Sequence, residues 1–286
     1  MGRRTLLDGP HERATVGGSV AADAFGATIN RDRRLRDELL GLQVALPCGS
    51  LARAGGRVVK NVTGYDLVRL HCGAYGTLGV ITDVTLRLRP IPEQRSILTR
   101  RVSSTDEAFR LAGELGESRV EPAGAAVRFR DGDGFLAWVL EGSAAGVRAR
   151  AARFEGEIAE PRVWEEIDEI LASVPPDGCA RLRVLARPSD TETLWRWLEG
   201  IGGKPAVALP LVGLVFGDLV EEAVPEAVGA ARASGTAVFV EHASPPLKGR
   251  IDVFGPAPDT TPLMRALKTR FDPNRVLAPG RLVGRV

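Results

Sequence analysis

The sequence predicts an α+β fold divided into more than one domain, and three observations support this prediction. Between residues 96 and 241, strand-like segments alternate with helical ones, which favours a sheet with helices on one face, as in split βαβ units. Before that region, glycine-rich loops lead into short helices and strands, and Pro90 and Pro92 end the last strand. A separate amphipathic helix lies near the C-terminus. We therefore expect three segments: 1–92, 93–255 and 256–286.

The composition is that of an ordinary globular protein. The chain has 286 residues, of which 44% are hydrophobic and 26% charged, and its formal net charge is +2. This length provides ample core, and the near-neutral charge gives no electrostatic reason to expect a nucleic acid or an anionic membrane as partner. No apolar run is long enough to span a membrane, and the basic N-terminal stretch lacks the apolar segment of a signal peptide.

The cysteines argue against a metal site. Cys48, Cys72 and Cys179 are far apart and form no CxxC pair, iron–sulfur spacing or zinc spacing. We therefore expect no metal and a reducing, cytoplasmic compartment. Cys48 and Cys72 are expected to be small packing residues rather than attachment points for a cofactor. The sequence also lacks a Ser-His-Asp arrangement, an HExxH helix and a P-loop lysine, which argues against a hydrolase, a zinc protease and a nucleoside triphosphatase.

The first predicted element is a loop that feeds a helix, over residues 14–26 (ATVGGSVAADAFG). Thr15 can cap this helix, and Gly17 and Gly18 free the backbone before it. A charged stretch follows. Its arginines are expected to form a solvated face, with a partner surface as the alternative; they are Arg31, Arg33, Arg34 and Arg36.

Alternation then predicts a half-buried strand with a buried face made of Leu40, Leu42, Val44 and Leu46. Residues 48–50 are predicted to form a hairpin turn, with a returning strand over 51–56. The next helix is predicted to run from Gly64 to about Cys72, with Thr63 and Asp66 as a capping box and Gly73 as its stop.

A clear strand follows over residues 79–90. One face is predicted to carry Val80, Thr82, Val84, Leu86 and Leu88, and the other Asp83, Thr85, Arg87 and Arg89. The last helix begins at Thr261-Pro262, with an apolar stripe of Leu263, Met264, Leu267 and Phe271. Asp272-Pro273-Asn274 is expected to stop this helix.

Three separated motifs resemble those of one family. They are ATVGGSVAADAFG, GGRVVKNVTGYDLVRLHCGAYGTLGVITDVTLRLRP and LMRALKTRFDPNRVLAPGR. In this order they resemble the FAD-linked oxidases of the vanillyl-alcohol oxidase type (PCMH fold), and most of all the E-type, FAD-binding subunit of bacterial glycolate oxidase. The resemblance implies part of a PCMH-type FAD-binding domain, an α+β cap domain with an antiparallel sheet, and a C-terminal helix that returns to the FAD domain.

The resemblance also implies which residues lie against FAD. Gly17 and Gly18, with Thr15 and Val16 before them, match the segment whose backbone amides approach the pyrophosphate, which agrees with the anion-binding chemistry of such amides. Ala21, Ala22 and Gly26 follow along the same wall, and the adenosine half is matched by Gly76, Gly79, Val80 and Ile81. Lys60, Tyr65 and Asp66 match the motif KNVTGYD without an assigned contact to the flavin, and no catalytic residue is assigned.

The resemblance implies a function within a complex. The chain would bind FAD and take part in the oxidation of glycolate or a related 2-hydroxy acid, together with a second FAD-linked oxidase subunit and an iron–sulfur subunit. It would be cytoplasmic and reach the inner membrane only through those partners.

The sequence departs from the family pattern in two places. No second glycine-rich phosphate loop precedes Ala14, and Ala278-Pro279-Gly280 replaces the usual NPG. These departures leave two interpretations open besides a competent subunit: a truncated start, or a non-catalytic assembly subunit that does not hold FAD by itself.

Four further residues have open alternatives. His71 is expected to be a surface histidine, or one at the C-terminal end of a helix that interacts with its dipole, rather than a base. His242 is expected at a strand end, with a substrate-side role as the alternative. Trp195 and Trp197 are expected to pack in the core or at an interface of the cap domain.

Overall fold

The computed structural model describes residues 2–5, 7, 13–30, 34–58, 64–130, 132–255 and 258–285. The chain divides into two compact units. The first comprises Met1–Gly26, Asp32–Ile91 and Pro256–Val286, and the second comprises Ala27–Arg31 and Pro92–Gly255.

The elements are numbered in chain order. The helices are α1 (Val16–Ala22), α2 (Leu35–Glu38), α3 (Leu67–His71), α4 (Thr105–Glu117), α5 (Ala144–Ala151), α6 (Arg162–Ala172), α7 (Thr191–Gly200), α8 (Val224–Ala233), α9 (Pro245–Arg250) and α10 (Thr261–Phe271). The strands are β1 (Arg3–Arg4), β2 (Leu39–Ala45), β3 (Leu51–Gly55), β4 (Val80–Leu86), β5 (Arg89–Pro90), β6 (Gln94–Val102), β7 (Gly124–Arg130), β8 (Asp133–Gly142), β9 (Glu157–Ile158), β10 (Cys179–Leu185), β11 (Lys204–Leu209), β12 (Leu214–Val220) and β13 (Ala237–His242).

The first unit contains an antiparallel three-stranded sheet in the order β3-β2-β4. The predicted hairpin between β2 and β3 is confirmed: Gly49 has φ +81°, and the amide of Leu46 donates to the carbonyl oxygen of Ser50 at 2.9 Å. The short strand β1 pairs with β5. Among the described residues of this unit, a small apolar cluster contains Val20, Leu35, Leu39, Leu42, Val44 and Val68.

Two register shifts in β2 and β4 overturn part of the predicted alternation. The pairing slips between Leu39 and Gly41 and again between Gln43 and Val44. A bulge changes which side chains share a face on its two sides. Leu39, before the first shift, therefore shares the buried face with Leu42 and Val44, where Leu40 was expected. In β4, Ile81 packs against the core, whereas Val80 is 54% exposed.

The helix α3 begins later than the sequence predicted. Its N-cap is Asp66, whose carboxylate accepts from the amide of Arg69 at 3.0 Å. Thr63, the predicted cap, lies outside the described residues. Gly73 follows the helix with φ +75°, as expected for the glycine that ends it.

The second unit has an eight-stranded antiparallel sheet in the order β13-β10-β12-β11-β7-β8-β6-β9. The helices α4, α5, α7 and α8 contribute to its main core, in which Trp138 and Trp195 are fully enclosed. The α+β prediction is therefore confirmed. The strand-like segment AVALPLVGLVF (residues 206–216) contributes to two strands: Pro210–Val212 form a 3-10 turn and Gly213 takes φ +69° between β11 and β12.

The C-terminal helix α10 does not bury the predicted stripe. Leu263 is 61% exposed, whereas Thr261 and Lys268 are buried. Within the described part of the chain, no helix combines the length and the hydrophobicity needed to cross a membrane.

Candidate functional site: two glycine-rich segments

The first predicted segment enters α1 through a side-chain cap. Thr15 is extended, and its Oγ1 accepts a hydrogen bond from the amide of Gly18 at 3.0 Å. The carbonyl oxygen of Thr15 accepts from the amide of Ser19 at 2.8 Å. The predicted cap is thus confirmed, and the amides of Val16 and Gly17 precede the first bond of the helix.

The second predicted segment is a loop with repeated left-handed backbone. Gly73, Tyr75 and Gly76 have φ of +75°, +52° and +72°, and the chain then enters β4 at Val80. Glycine adopts this conformation freely, whereas Tyr75 adopts it at a cost. The space beside Gly76 is open, since an added Cβ would meet no atom within 4 Å.

The structure brings these two segments together inside the first unit. The amide of Gly73 donates to the carbonyl oxygen of Val20 at 3.0 Å, and the amide of Tyr75 donates to that of Ala21 at 2.8 Å. On the other side of α1, a Cβ on Gly17 would lie 3.5 Å from the carbonyl oxygen of Ile81. Residues about 60 apart in sequence therefore form one continuous backbone surface.

The predicted site residues differ in exposure. Thr15, Val16, Gly18 and Val80 are exposed; Gly17, Ala21, Ala22, Gly76 and Ile81 are half-buried; Gly26 and Gly79 are buried. Val16 and Val80 are apolar yet 46% and 54% exposed. Bare glycine backbone flanked by exposed valines fits a ligand that has both a phosphate and a flat apolar part.

Gly79 has a packing reason of its own. A Cβ there would lie 3.1 Å from Cβ of Val44 and 3.4 Å from Cε1 of His71. The residue is buried, so the close fit of β2, α3 and the loop requires glycine whatever the loop binds.

Of the two positions expected for His71, the structure shows the C-terminal end of a helix, since His71 is the last residue of α3, and not the surface. It is only 4% exposed, and its ring meets the ring of Phe271 edge-on, with centroids 5.8 Å apart. Burial lowers the pKa of His71, because a charged imidazolium loses hydration there. The ring therefore acts as a packing group between α3 and α10.

The two cysteines of the first unit differ in environment. Burial raises the pKa of Cys72 to about 12, and the neighbouring Asp23 carboxylate, which accepts from Sγ at 3.4 Å, adds to this. Cys72 is thus an inert packing thiol, as expected. Cys48 is exposed at the hairpin tip, so the packing role predicted for it is wrong. Hydrogen bonds from Ser50 lower the pKa of Cys48.

The sequence reasoning missed a buried ion pair on α10. The Lys268 ammonium donates to Oδ2 of Asp272 at 2.6 Å, and the two side chains are 2% and 0% exposed. Burial by itself raises the pKa of Asp272, but hydrogen bonds from Lys268 and from the amides of Leu277 and Val276 outweigh it and lower this pKa overall. The spacing i, i+4 followed by proline was the available signal.

Most of the other polar residues named in the sequence analysis are exposed or undescribed. The exposed ones are Tyr65, Arg34, Arg36 and His242, the last at the end of β13. Lys60, Arg31 and Arg33 lie outside the described residues. Trp195 packs edge-on against Phe109 in the core of the second unit, and Trp197 is partly buried beside that core. The expected helix stop at Asp272 is confirmed.

Comparisons with known proteins find no matching family model but several similar proteins. It is 34% identical to glycolate oxidase subunit GlcE of Escherichia coli (strain K12) over 172 residues, which covers 59% of this chain and 47% of that protein. It is 34% identical to glycolate oxidase subunit GlcD of Bacillus subtilis (strain 168) over 38% of this chain and 23% of that one.

Two further matches span almost the whole chain. A D-lactate dehydrogenase of Archaeoglobus fulgidus is 28% identical over 98% of this chain and 73% of its own length. A solved structure of alkyldihydroxyacetonephosphate synthase superposes with a TM-score of 0.69 at 15% identity, over 98% of this chain and 61% of that one. The latter supports the fold alone.

The chain spans about half the length of the glycolate oxidase subunit GlcE that it matches. The relatives confirm the resemblance carried by the three motifs, and the solved structure has the expected fold. The chain is thus similar in sequence to glycolate oxidase subunits and D-lactate dehydrogenases, the kind of relative that the three motifs led us to expect.

Proposed function

We propose that this chain is an FAD-binding subunit of a glycolate oxidase-like enzyme that oxidises glycolate or a related 2-hydroxy acid. One observation carries the proposal: the segments around Gly17 and Gly76 meet through the bonds from Gly73 to Val20 and from Tyr75 to Ala21. The names of the relatives support the substrate class, since glycolate and D-lactate are both 2-hydroxy acids.

The residues of the converged surface have distinct parts in this proposal. The backbone of Thr15–Gly18 would hold the pyrophosphate, Ala21, Ala22 and Gly26 would form the adjoining wall, and the turn Gly76–Ile81 would hold the adenosine half. When bound, FAD would supply the acceptor for the substrate hydride, while the protein supplies position and electrostatics. The amide of Gly18 donates to Thr15 Oγ1, so the amides of Val16 and Gly17, at the start of α1, would be the ones directed to the pyrophosphate.

The proposal includes partner subunits. GlcE and GlcD are both named as subunits of glycolate oxidase, which supports a second FAD-linked oxidase subunit beside this chain. The cysteine spacing of this chain supports an iron–sulfur cluster on a further subunit rather than here. We place the complex in the cytoplasm, with any contact to the inner membrane made by the partners.

The test is the visible absorption spectrum of the purified chain after incubation with FAD and desalting. Flavin bands retained at about one flavin per chain are expected, since a site that binds its ligand with nanomolar affinity releases it slowly enough to keep it through desalting. A colourless protein would overturn FAD binding by this chain and favour the assembly-subunit alternative.

A glycine variant locates the site. Gly17→Ala adds a Cβ that makes only an ordinary contact, 3.5 Å from the carbonyl oxygen of Ile81, so the fold should tolerate it. It should still weaken FAD binding by about tenfold, or about 1.4 kcal/mol, because the methyl group separates the backbone from the pyrophosphate. Gly229→Ala on α8, where an added Cβ meets nothing within 4 Å, is the matched control.

Gly18 is the less informative position. A Cβ there would lie 2.9 Å from Thr15 Oγ1, so any substitution also breaks the cap of α1. Loss of FAD in a Gly18 variant would therefore not separate cofactor contact from helix disruption. Equal FAD affinity in Gly17→Ala and Gly229→Ala would contradict the placement of the pyrophosphate.

A further inference from the structure

One buried ammonium group connects three segments of the first unit. Besides Asp272, the Nζ atom of Lys268 donates to the carbonyl oxygen of Thr77 at 2.8 Å and to that of Leu277 at 2.6 Å. Thr77 belongs to the glycine-rich loop, Lys268 to α10, and Leu277 to the C-terminal tail. All three donors of the ammonium are thus used, each by a different part of the chain.

The carboxylate of the pair fixes the tail in the same way. Oδ1 of Asp272 accepts from the amide of Val276 at 3.0 Å, and Oδ2 accepts from the amide of Leu277 at 2.8 Å. Thr77 itself is buried, and its Oγ1 donates to the carbonyl oxygen of Ala74 at 2.7 Å, which holds the loop turn. The network is closed, and a closed buried polar network fixes one arrangement of its members.

The backbone on both sides of this network is strained. Tyr75 in the loop has φ +52°, and Arg275 and Ala278 in the tail have φ +53° and +39°. Non-glycine residues keep such conformations only where the surrounding structure holds them. The hydrogen bonds of Lys268 and Asp272 are adjacent to all three.

We infer that Lys268 is a positioning residue for the proposed flavin site, holding the loop Gly73–Gly79 and the tail Leu277–Gly280 in one fixed arrangement. This inference rests on the proposed function for its link to FAD. Lys268 itself is fully enclosed and occupied by three acceptors, so it acts on a ligand only through the Thr77 and Leu277 backbone.

The experiment separates positioning from stability. In Lys268→Met the Asp272 charge is left buried without its partner, and the fold is expected to be destabilised. Adding Asp272→Asn removes that charge and keeps one side-chain oxygen as acceptor for the amide of Val276 or of Leu277, so the double variant should regain part of the melting temperature. It does not restore the bond to Thr77. A merely structural role would therefore be rescued by the second substitution, and a positioning role would not.

Two readouts are compared in the double variant. Amide hydrogen exchange at Gly73, Tyr75 and Thr77 in the loop should be at least about tenfold faster than in the wild type. The hydrogen bonds that these three amides donate would then open locally. FAD affinity should fall by a similar factor. Leu35→Ala, which removes a buried core side chain of the same unit, serves as the stability control. Its melting temperature should fall, whereas amide exchange in the loop should change less than it does in the double variant.

The outcomes distinguish this inference from the proposed function. Loop exchange as slow as in the wild type in the double variant, or unchanged FAD affinity beside a wild type that binds FAD, would overturn the positioning role. A wild type that binds no FAD would overturn the proposed function, while the exchange measurement would still decide whether Lys268 holds the loop. If Lys268→Met does not fold, the double variant alone carries the test.

Discussion

Each of the two units of the chain is stabilised internally in a different way. The second unit buries a large apolar core between its eight-stranded sheet and its helices, with Trp138 and Trp195 enclosed. Among its described residues, the first unit has a smaller apolar cluster and a three-stranded sheet, and depends in addition on the buried pair Lys268–Asp272. Where apolar burial is small, specific polar contacts have to determine the structure.

Backbone strain is distributed in the same uneven way. The described residues include six non-glycine positions with positive φ; one, Glu121, lies in the second unit, and the others, Asp23, Tyr75, Arg275, Ala278 and Arg285, lie in the first. Strained backbone tends to occur at functional sites, where the surroundings hold it. The larger number of strained residues in the first unit thus agrees with a functional site there, whereas the backbone of the second unit is more regular.

The largest expected effect is on the buried pair. Asp272→Asn leaves the Lys268 ammonium buried without a counter-charge, and breaking such a pair costs about 3–5 kcal/mol. Unfolding of the first unit, followed by hydrogen exchange or by urea denaturation, should show this loss. Asp218→Asn is the control in the second unit, because Asp218 is more exposed and its partner Arg181 keeps the Ile170 carbonyl oxygen as acceptor. An equal loss in both variants would contradict the contrast.

The lowered pKa of Asp272 predicts that acid destabilises the fold. This pKa is lower in the fold than in the unfolded chain, so the unfolded state binds the proton more readily as the pH falls. The stabilisation is complete above the ordinary aspartate pKa of about 3.9 and is lost as the pH falls below that value.

A second pH effect should be confined to the first unit. Burial lowers the pKa of His71, so below the ordinary histidine value of about 6.5 the unfolded chain takes up a proton that the fold resists. Stability should therefore decrease as the pH falls from 7.5 to 5.5. Thermal melting of the wild type should show this decrease, and His71→Leu should reduce it.

His242→Gln is the matched control, since His242 is exposed at the end of β13 in the second unit. If His242→Gln removes the pH dependence as well as His71→Leu does, the effect does not come from the buried ring. That outcome would weaken the contrast between the units.

The sequence predicted the elements that depend on local signals. The Thr15 cap, the Gly49 hairpin and the Gly73 helix end each follow from the chemistry of one or two residues, and each is confirmed. The α+β class was also predictable, because the strand and helix periods of the second unit are long and regular. The similarity to glycolate oxidase subunits was predictable from three motifs in order.

The remainder depended on contacts between distant residues. The bulges in β2 and β4 arise from pairing across the sheet, so the alternation of Val80 and Ile81 could not be assigned from periodicity alone. The burial of Lys268 could not be predicted from the sequence, because a lysine is buried only where acceptors from elsewhere surround it, and Thr77 is 191 residues away. Whether Gly17 and Gly76 contact FAD stays a prediction.

The smallest expected effect concerns the tail. Ala278 has φ +39°, a conformation that costs an L-residue about 1–2 kcal/mol, and glycine avoids this cost but loses more freedom on folding. Ala278→Gly should therefore stabilise the first unit by about 0.5–1 kcal/mol, measured by urea denaturation. Ala266→Gly on the exposed face of α10 is the control and should destabilise, since glycine weakens a helix interior. Stabilisation by Ala278→Gly would show that the tail is held in its strained conformation by its surroundings, whereas destabilisation would mean that the left-handed backbone at Ala278 is not a cost to the fold.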